Sequence, residues 1–314
     1  MTFPQLNSQS VLSPMAGVTD IAFRSMAADM GAGMTYTEFV SCAAIVRGSK
    51  KTLDMIRVAD NERPVAVQLF GNNINEVVAA AKMLEDTFDV FDINCGCPAW
   101  KVIKTGAGSQ MLNNPQQIGE FIHALSRSIT KPVTLKIRSG IDAHSINAVT
   151  VATVAQKAGA SAIAVHGRTQ KQGYRGLADW HIIKKVKQAV DIPVIGNGDV
   201  FSPQDFVEKL HYSGVDAIMI ARGAIGNPFI FEQINQFLTT GSYQDKPDDL
   251  FLQFLEYAQR FSIDFSSVKS HGMAFSKGLS GGAQHRRDIS GAEDKKKKKK
   301  IFEDYITGLS NSFK

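Results

Sequence analysis

The chain has 314 residues, 44% of them hydrophobic and 21% charged, with a net charge of +5 at pH 7. That length suits either two average domains or one large barrel with an appendage, and the composition is that of an ordinary globular protein. Three cysteines make a poor disulfide framework, no run of about 18 apolar residues is present to span a membrane, and the start lacks a basic segment leading into an apolar one; a cytoplasmic protein is expected.

Taken in chain order, short β-branched runs alternate with amphipathic stretches. The runs predict eight strands: Val11 to Pro14, Met34 to Val40, Val65 to Phe70, Val90 to Asn94, Val133 to Arg138, Ala162 to His166, Pro193 to Asn197 and Ala217 to Ala221. Between them lie helix-like segments such as Asn75 to Glu85, Pro115 to Ile129, Ile146 to Lys157, Asp179 to Ala189 and Pro203 to Leu210. Such alternation implies parallel crossovers, and eight units close most naturally into a (β/α)8 TIM barrel of about 240 residues, with a doubly wound sheet as the runner-up. After Phe231 the pattern changes. Leu250 to Phe265 and Lys299 to Leu309 read as helices joined by a Gly-rich, basic connection. The expected organisation is a barrel domain over 1–239 and a small C-terminal helical domain over 240–314.

In such a barrel the reactive groups belong at the C-terminal ends of the strands. The third strand places Val65, Val67 and Leu69 on one face and Gln68 on the other, and the fifth places Thr134, Lys136 and Arg138 on the interior face. The sixth ends in His166. Burying an ammonium without a partner costs several kcal/mol or moves its pKa, so an inward lysine implies an anionic ligand or a carboxylate. Each residue alone has a structural alternative: Gln68 could satisfy a backbone group, Lys136 could pair with Asp92, and His166 could be a core histidine. Together Gln68, Asn94, Lys136 and His166 would line one mouth.

The fourth strand runs into Asn94-Cys95-Gly96-Cys97-Pro98. Cys97 there is either a small buried hydrophobe beside a turn proline or a thiol presented by a rigid loop. Strands seven and eight end in the glycine loops Gly196-Asn197-Gly198-Asp199 and Arg222-Gly223-Ala224-Ile225-Gly226-Asn227-Pro228. Loops in those two positions are the usual phosphate site of this fold, where backbone N–H groups surround an anion. Such a barrel, with Lys136 inside and small residues Pro14, Met15 and Ala16 ending strand one, could hold flavin mononucleotide (FMN).

These residues, in this order, closely resemble the tRNA-dihydrouridine synthases. The resemblance rests on Leu12 to Asp20, Asp92 to Pro98 with Lys101-Val102, Gly106 to Ser109, Lys136-Ile137-Arg138, His166 to Thr169, Gly196 to Asp199 and Arg222-Gly223-Ala224. It implies an FMN-carrying TIM barrel followed by a helical domain that grips tRNA. NADPH, or NADH, would reduce the flavin, which passes hydride to C6 of a uridine while a cysteine, Cys97 by position, protonates C5. Pro14, Met15, Ala16, Gln68, Lys136, His166, Asn197, Gly198, Asp199, Ala221, Arg222 and Gly223 match flavin-contacting positions. Asn94, Arg138 and Arg168 match positions near the base and RNA backbone; Lys269, His271, Lys277, Arg286 and Arg287 fall where basic residues meet RNA. Cys95 is expected to tolerate replacement, no metal is expected, and the enzyme is expected to be monomeric.

The charge is consistent with an RNA partner. Between Phe265 and Lys314, 11 Lys and Arg oppose 5 Asp and Glu, so the basic character is almost wholly C-terminal. The six lysines Lys295 to Lys300 alone read more naturally as a solvated run. The alternatives are an FMN barrel acting on a free pyrimidine such as dihydroorotate, and a catalytically idle RNA-binding barrel.

Overall fold

A computed structural model describes residues 2–277 and 281–291, with 300, 303, 304 and 306–308. In its first half β1 (Ser10–Leu12) leads to α1 (Ile21–Asp29) and β2 (Thr35–Ser41) to α2 (Cys42–Val46) and α3 (Lys50–Met55). Then β3 (Val65–Phe70) leads to α4 (Ile74–Leu84), and β4 (Val90–Cys95) to α5 (Trp100–Ile103), a 3-10 turn (Gly108–Asn113) and α6 (Pro115–Ser128). The second half continues with β5 (Val133–Arg138), α7 (Ala148–Lys157), β6 (Ala162–His166), α8 (Trp180–Ala189), β7 (Val194–Asn197), α9 (Pro203–Ser213), β8 (Ala217–Ile220) and α10 (Ile230–Thr240). All eight expected strands are present, each within two residues of the expected bounds.

Every ladder is parallel, and neighbours run β1-β8-β7-β6-β5-β4-β3-β2. Leu12 N donates to Met34 O and Gly33 N to Ser10 O, which joins β1 to the approach of β2 and closes the barrel. Period-two alternation sorts the side chains into two cores. Val11, Tyr36, Ala66, Val90, Ala164, Ile195 and Met219 fill the interior, with Phe3 and Leu6 packed against them. Val65, Val67, Leu69, Ile93, Leu135, Ile137 and Val165 face outward against the helices. The helices start where short polar side chains accept from the first-turn amides: Asp20, Asn73, Asn114, Asp179 and Ser202 all do so.

The C-terminal part differs from the expectation of one long helix and a connection. α11 (Leu250–Arg260) stops early, Ser262 takes a left-handed φ of 54°, and Asp264 caps a new helix, α12 (Phe265–Phe275), by accepting from Ser266 N and Ser267 N. A further helix, α13 (Gly282–Gly291), occupies the segment read as a connection. Only Ala283 and Ile289 there are apolar, too few to show a helical spacing in the sequence. The segment Lys299 to Leu309 and the lysine run lie mostly outside the described residues.

Of these helices, α11 and α12 dock on α1. His271 lies between Phe23 (ring centroids 5.2 Å apart) and Phe254 (4.4 Å), and its Nε2 pairs with Asp20 Oδ2 at 2.8 Å. Tyr257 donates to Asp29 Oδ2 at 2.7 Å. His271 is 3% exposed, so it belongs to this seam and not to an RNA-facing surface.

Candidate active site

Because all eight strands are parallel, their C-terminal ends open into one cavity of about 470 Å³. Its walls include Pro14, Met15 and Ala16 after β1, Gln68 on β3, Asn94 and Cys97 at β4, and Lys136 and Arg138 on β5. His166 on β6, Asn197, Gly198 and Asp199 at β7, and Ala221, Arg222 and Gly223 after β8 complete it. Every expected flavin-contacting position thus meets in one cavity, together with Cys97.

The Cys97 turn is held from both sides. Asn94 Oδ1 accepts from Gly96 N at 3.2 Å and Cys97 N at 2.9 Å, while Ser109 donates its N–H and hydroxyl to Cys97 O at 3.0 and 2.9 Å. Gly108 permits this approach: at φ +63° a Cβ there would lie 2.8 Å from Cys97 O. The two cysteines consequently part. Cys97 lines the cavity half-buried, whereas Cys95 is wholly buried with its Sγ 3.8 Å from Met111 Sδ. Cys95 can therefore be exchanged only for a residue of similar small size, since extra volume in a filled core strains it. Burial pushes the Cys97 thiol above its ordinary pKa, against the Ala99 amide and the charges of Arg138 and Lys136, and it stays protonated at neutral pH.

Lys136 projects inward beside it. Its Nζ donates to Asn197 Oδ1 at 3.0 Å, and Asn197 is fixed in turn by donating to Met219 O at 2.7 Å. Burial, followed by the charge of Arg138, lowers the Lys136 pKa to about 8 despite Asp92 nearby. His166 is held well below its usual pKa by burial and by Lys136, Arg138, Arg168 and Arg222, so it is a neutral imidazole. Lys136, Arg138 and Arg222 line the mouth with Arg168 in the wall behind them, against two carboxylates: Asp199, which pairs Arg168 and Arg222, and Asp92, buried near Lys136. Such an excess suits an anionic ligand.

The loops after β7 and β8 supply the rest. Among the described residues none accepts a hydrogen bond from the amides of Gly198, Asp199, Arg222 and Gly223. Arg222 donates to Asp199 Oδ1 at 2.8 Å and lies over the Tyr174 and Phe201 rings at 4.9 and 5.5 Å. Free amides, a fixed guanidinium and an inward ammonium fit a phosphate-bearing, anionic cofactor, and a cavity of this size accommodates one.

Three residues expected near the substrate also have partners within the protein. Arg168 does not reach the cavity lining; it is 2% exposed in the wall, where it grips both Asp199 oxygens at 2.8 Å and donates to Arg175 O and Gly176 O. Asp199, pushed up by burial, is held below its usual pKa by Arg168, the Ala178 amide and Arg222. Asn94 lines the cavity but has its amide oxygen committed to the Cys97 turn. Arg138 also lines it, yet donates to Gly96 O, Thr169 O and Gly173 O, tying the β4 loop to the β6 loop. Lys277, just past α12, and Arg287 on α13 are exposed and do not line the cavity; Arg286 is half-buried and donates to Ser276 O and Oγ at 2.9 and 3.1 Å. Tyr174 and Phe201, exposed aromatics at the mouth, were missed by motif reading, and their only signal was a large ring in an otherwise polar loop.

The family profile described as "Dihydrouridine synthase (Dus)" matches residues 11–310. The chain belongs to the dihydrouridine synthase family. Among the members of this dihydrouridine synthase family that it resembles, "tRNA-dihydrouridine synthase B" of Pseudomonas putida is 40% identical over 271 residues, covering 84% of this chain and 80% of that protein. The protein of that name from Pseudomonas aeruginosa is 42% identical over 240 residues, covering 76% of this chain and 72% of that one. "Probable tRNA-dihydrouridine synthase" of Rickettsia bellii is 34% identical, covering 98% and 97%. Among solved structures, histamine dehydrogenase from Rhizobium sp. 4-9 shares the barrel at TM-score 0.58 and 12% identity, covering 80% of this chain and 49% of that one.

Proposed function

We propose that this protein reduces a uridine in tRNA to 5,6-dihydrouridine, with FMN held in the barrel mouth and NADPH as reductant. The observation that carries this reading is the Cys97 thiol sharing one cavity with Lys136 and the two glycine loops. The free amides of Gly198, Asp199, Arg222 and Gly223 would hold the cofactor's phosphate, and Lys136 would balance negative charge on its ring system. When bound, the flavin supplies the hydride for C6 of the uracil ring.

The remaining chemistry belongs to this chain. Charge develops at C5 as C6 is reduced, and Cys97 gives C5 its proton; a thiol whose pKa is raised keeps that proton until the reaction calls for it. His166, uncharged, offers hydrogen bonds without adding to the cation excess. The target base must leave its stack to enter so deep a cavity, which suits a loop uridine of folded RNA.

The names of the relatives support tRNA as substrate, and the exposed cations Lys277 and Arg287 support an RNA-facing surface on the C-terminal helices. Replacing both with alanine is expected to weaken tRNA binding and to reduce the slope of log affinity against log salt by about one unit per lost phosphate contact. An unchanged slope would move the RNA surface elsewhere. Arg286 is the poorer choice for this test, because its loss would also release the end of α12.

Mapping dihydrouridine in tRNA from a strain lacking this protein tests the reading in the cell. One position is expected to lose the modification and regain it on complementation; a complete modification pattern in that strain would contradict it.

A further inference from the structure

A line of buried hydrogen bonds runs across β5, β4 and β3 to the cavity wall, where Gln68 and Asn94 lie. Thr134 Oγ1 donates to Asp92 Oδ1 at 2.6 Å, Gln68 Nε2 donates to Asp92 Oδ2 at 2.7 Å, and Asn94 Nδ2 donates to Gln68 Oε1 at 2.7 Å. Asn94 Oδ1 then accepts from the amides of Gly96 and Cys97. The parallel register creates this alignment, since Asp92 is the direct partner of Gln68 on β3 and of Thr134 on β5. Asp92, Gln68 and Asn94 are 0%, 1% and 6% exposed, so water does not compete for these bonds.

The polarity of the line is dictated at its two ends: the Asp92 carboxylate accepts from Gln68, and the Gly96 and Cys97 amides donate to Asn94. A side-chain amide fits its site almost equally well either way round, because its oxygen and nitrogen are similar in size, and only its partners choose between them. Burial raises the Asp92 pKa to about 6, so at neutral pH it is mainly a carboxylate, which accepts and never donates. Asp92 therefore draws the nitrogen of Gln68 to itself, which turns the Gln68 oxygen toward Asn94. That oxygen draws the Asn94 nitrogen, which turns the Asn94 oxygen toward the two amides of the Cys97 turn. With either side chain reversed, a donor would face a donor in a buried site and both would be left unpaired.

We propose that Asp92 is a positioning residue for Cys97: its carboxylate sets the orientation of Gln68 and Asn94, and through them the turn that aims the thiol into the cavity. Its value to catalysis rests on the reading of Cys97 as the proton donor, but the placement of the thiol does not.

Alkylation of the folded protein by iodoacetamide measures that placement directly. Cys42 and Cys95 are 0% exposed, so the reaction reads Cys97, with Cys97→Ala as the blank. Asp92→Leu removes the acceptor and is expected to raise the alkylation rate about tenfold, the equivalent of the turn's two hydrogen bonds at a net 0.5–1.5 kcal/mol each. Asp92→Asn is expected to stay within about twofold of the parent, because it keeps an oxygen for Gln68 and turns its nitrogen to the Thr134 hydroxyl, which can accept. Gln68→Met cuts the same line one residue further on and is expected to match Asp92→Leu, with the double variant no faster than either single one.

An unchanged rate in folded Asp92→Leu or Gln68→Met overturns the proposal, as does an Asp92→Asn rate as high as that of Asp92→Leu, or additive effects in the double variant. If Asp92→Leu does not fold, Gln68→Met and Asp92→Asn decide the question. Turnover on tRNA separates the two claims. Faster alkylation with unchanged turnover upholds the positioning and removes Cys97 as the acid, whereas lost turnover with unchanged alkylation overturns the positioning.

Discussion

Cys97→Ala is expected to retain bound flavin, seen as an unaltered visible absorption, while dihydrouridine formation falls by about 10²- to 10⁴-fold, the usual contribution of a positioned general acid. The substitution removes one sulfur from a half-buried turn whose other contacts are made by backbone atoms: Asn94 holds the Cys97 amide and Ser109 holds its carbonyl. The turn should therefore keep its shape, and tRNA affinity should barely change. Raising the pH is not expected to remove the proton donor near neutrality, because burial holds the thiol above its ordinary range. A Cys97→Ala protein that turns over like the parent would assign the proton to another group.

Lys136→Met should act on the cofactor instead. The loss of a charged hydrogen-bond donor, worth about 1.5–3 kcal/mol, predicts FMN binding weakened roughly 10- to 100-fold. The pH dependence has a definite sign. Burial holds Lys136 to a pKa of about 8, so in the empty site its positive charge is present below that value and lost above it. FMN affinity of the parent should thus decline as pH rises through about 8, and the Lys136→Met profile should be flat across the same range. A titration of flavin fluorescence against protein at several pH values measures both. A parent profile identical to that of the variant would place the anion's counter-charge elsewhere, with Arg222 as the next candidate.

The barrel was legible because parallel strands buried on both faces leave compact apolar runs, and because Gln68, Lys136 and His166 interrupt those runs at positions that must point inward. Cys97 was legible through its turn and through the strand ends that surround it. Three features were not legible, each for a physical reason. Arg168 looks like a substrate contact in sequence, but its partner Asp199 lies 31 residues away, and only the fold brings a carboxylate to satisfy it in the wall. Asn94 reads as a group that holds a base, yet which of its atoms is free depends on Gln68 across the sheet and on the two amides that follow it. The helices α12 and α13 were hidden because the start of α12 depends on a single cap and a backbone break, Asp264 and Ser262, and because α13 has only Ala283 and Ile289 as apolar residues. In each case the sequence shows the chemical group, while the partner that fixes its role comes from another strand or helix.

The central claim is that this cavity delivers a hydride and the Cys97 proton to a uridine of tRNA. Its most direct test combines purified, flavin-loaded protein with NADPH and an unmodified tRNA transcript, and counts dihydrouridine in the digested product, beside a parallel reaction on free uridine. The account predicts a single dihydrouridine per transcript and negligible reduction of the free nucleoside; no dihydrouridine in the transcript, or an equal rate on free uridine, would contradict it.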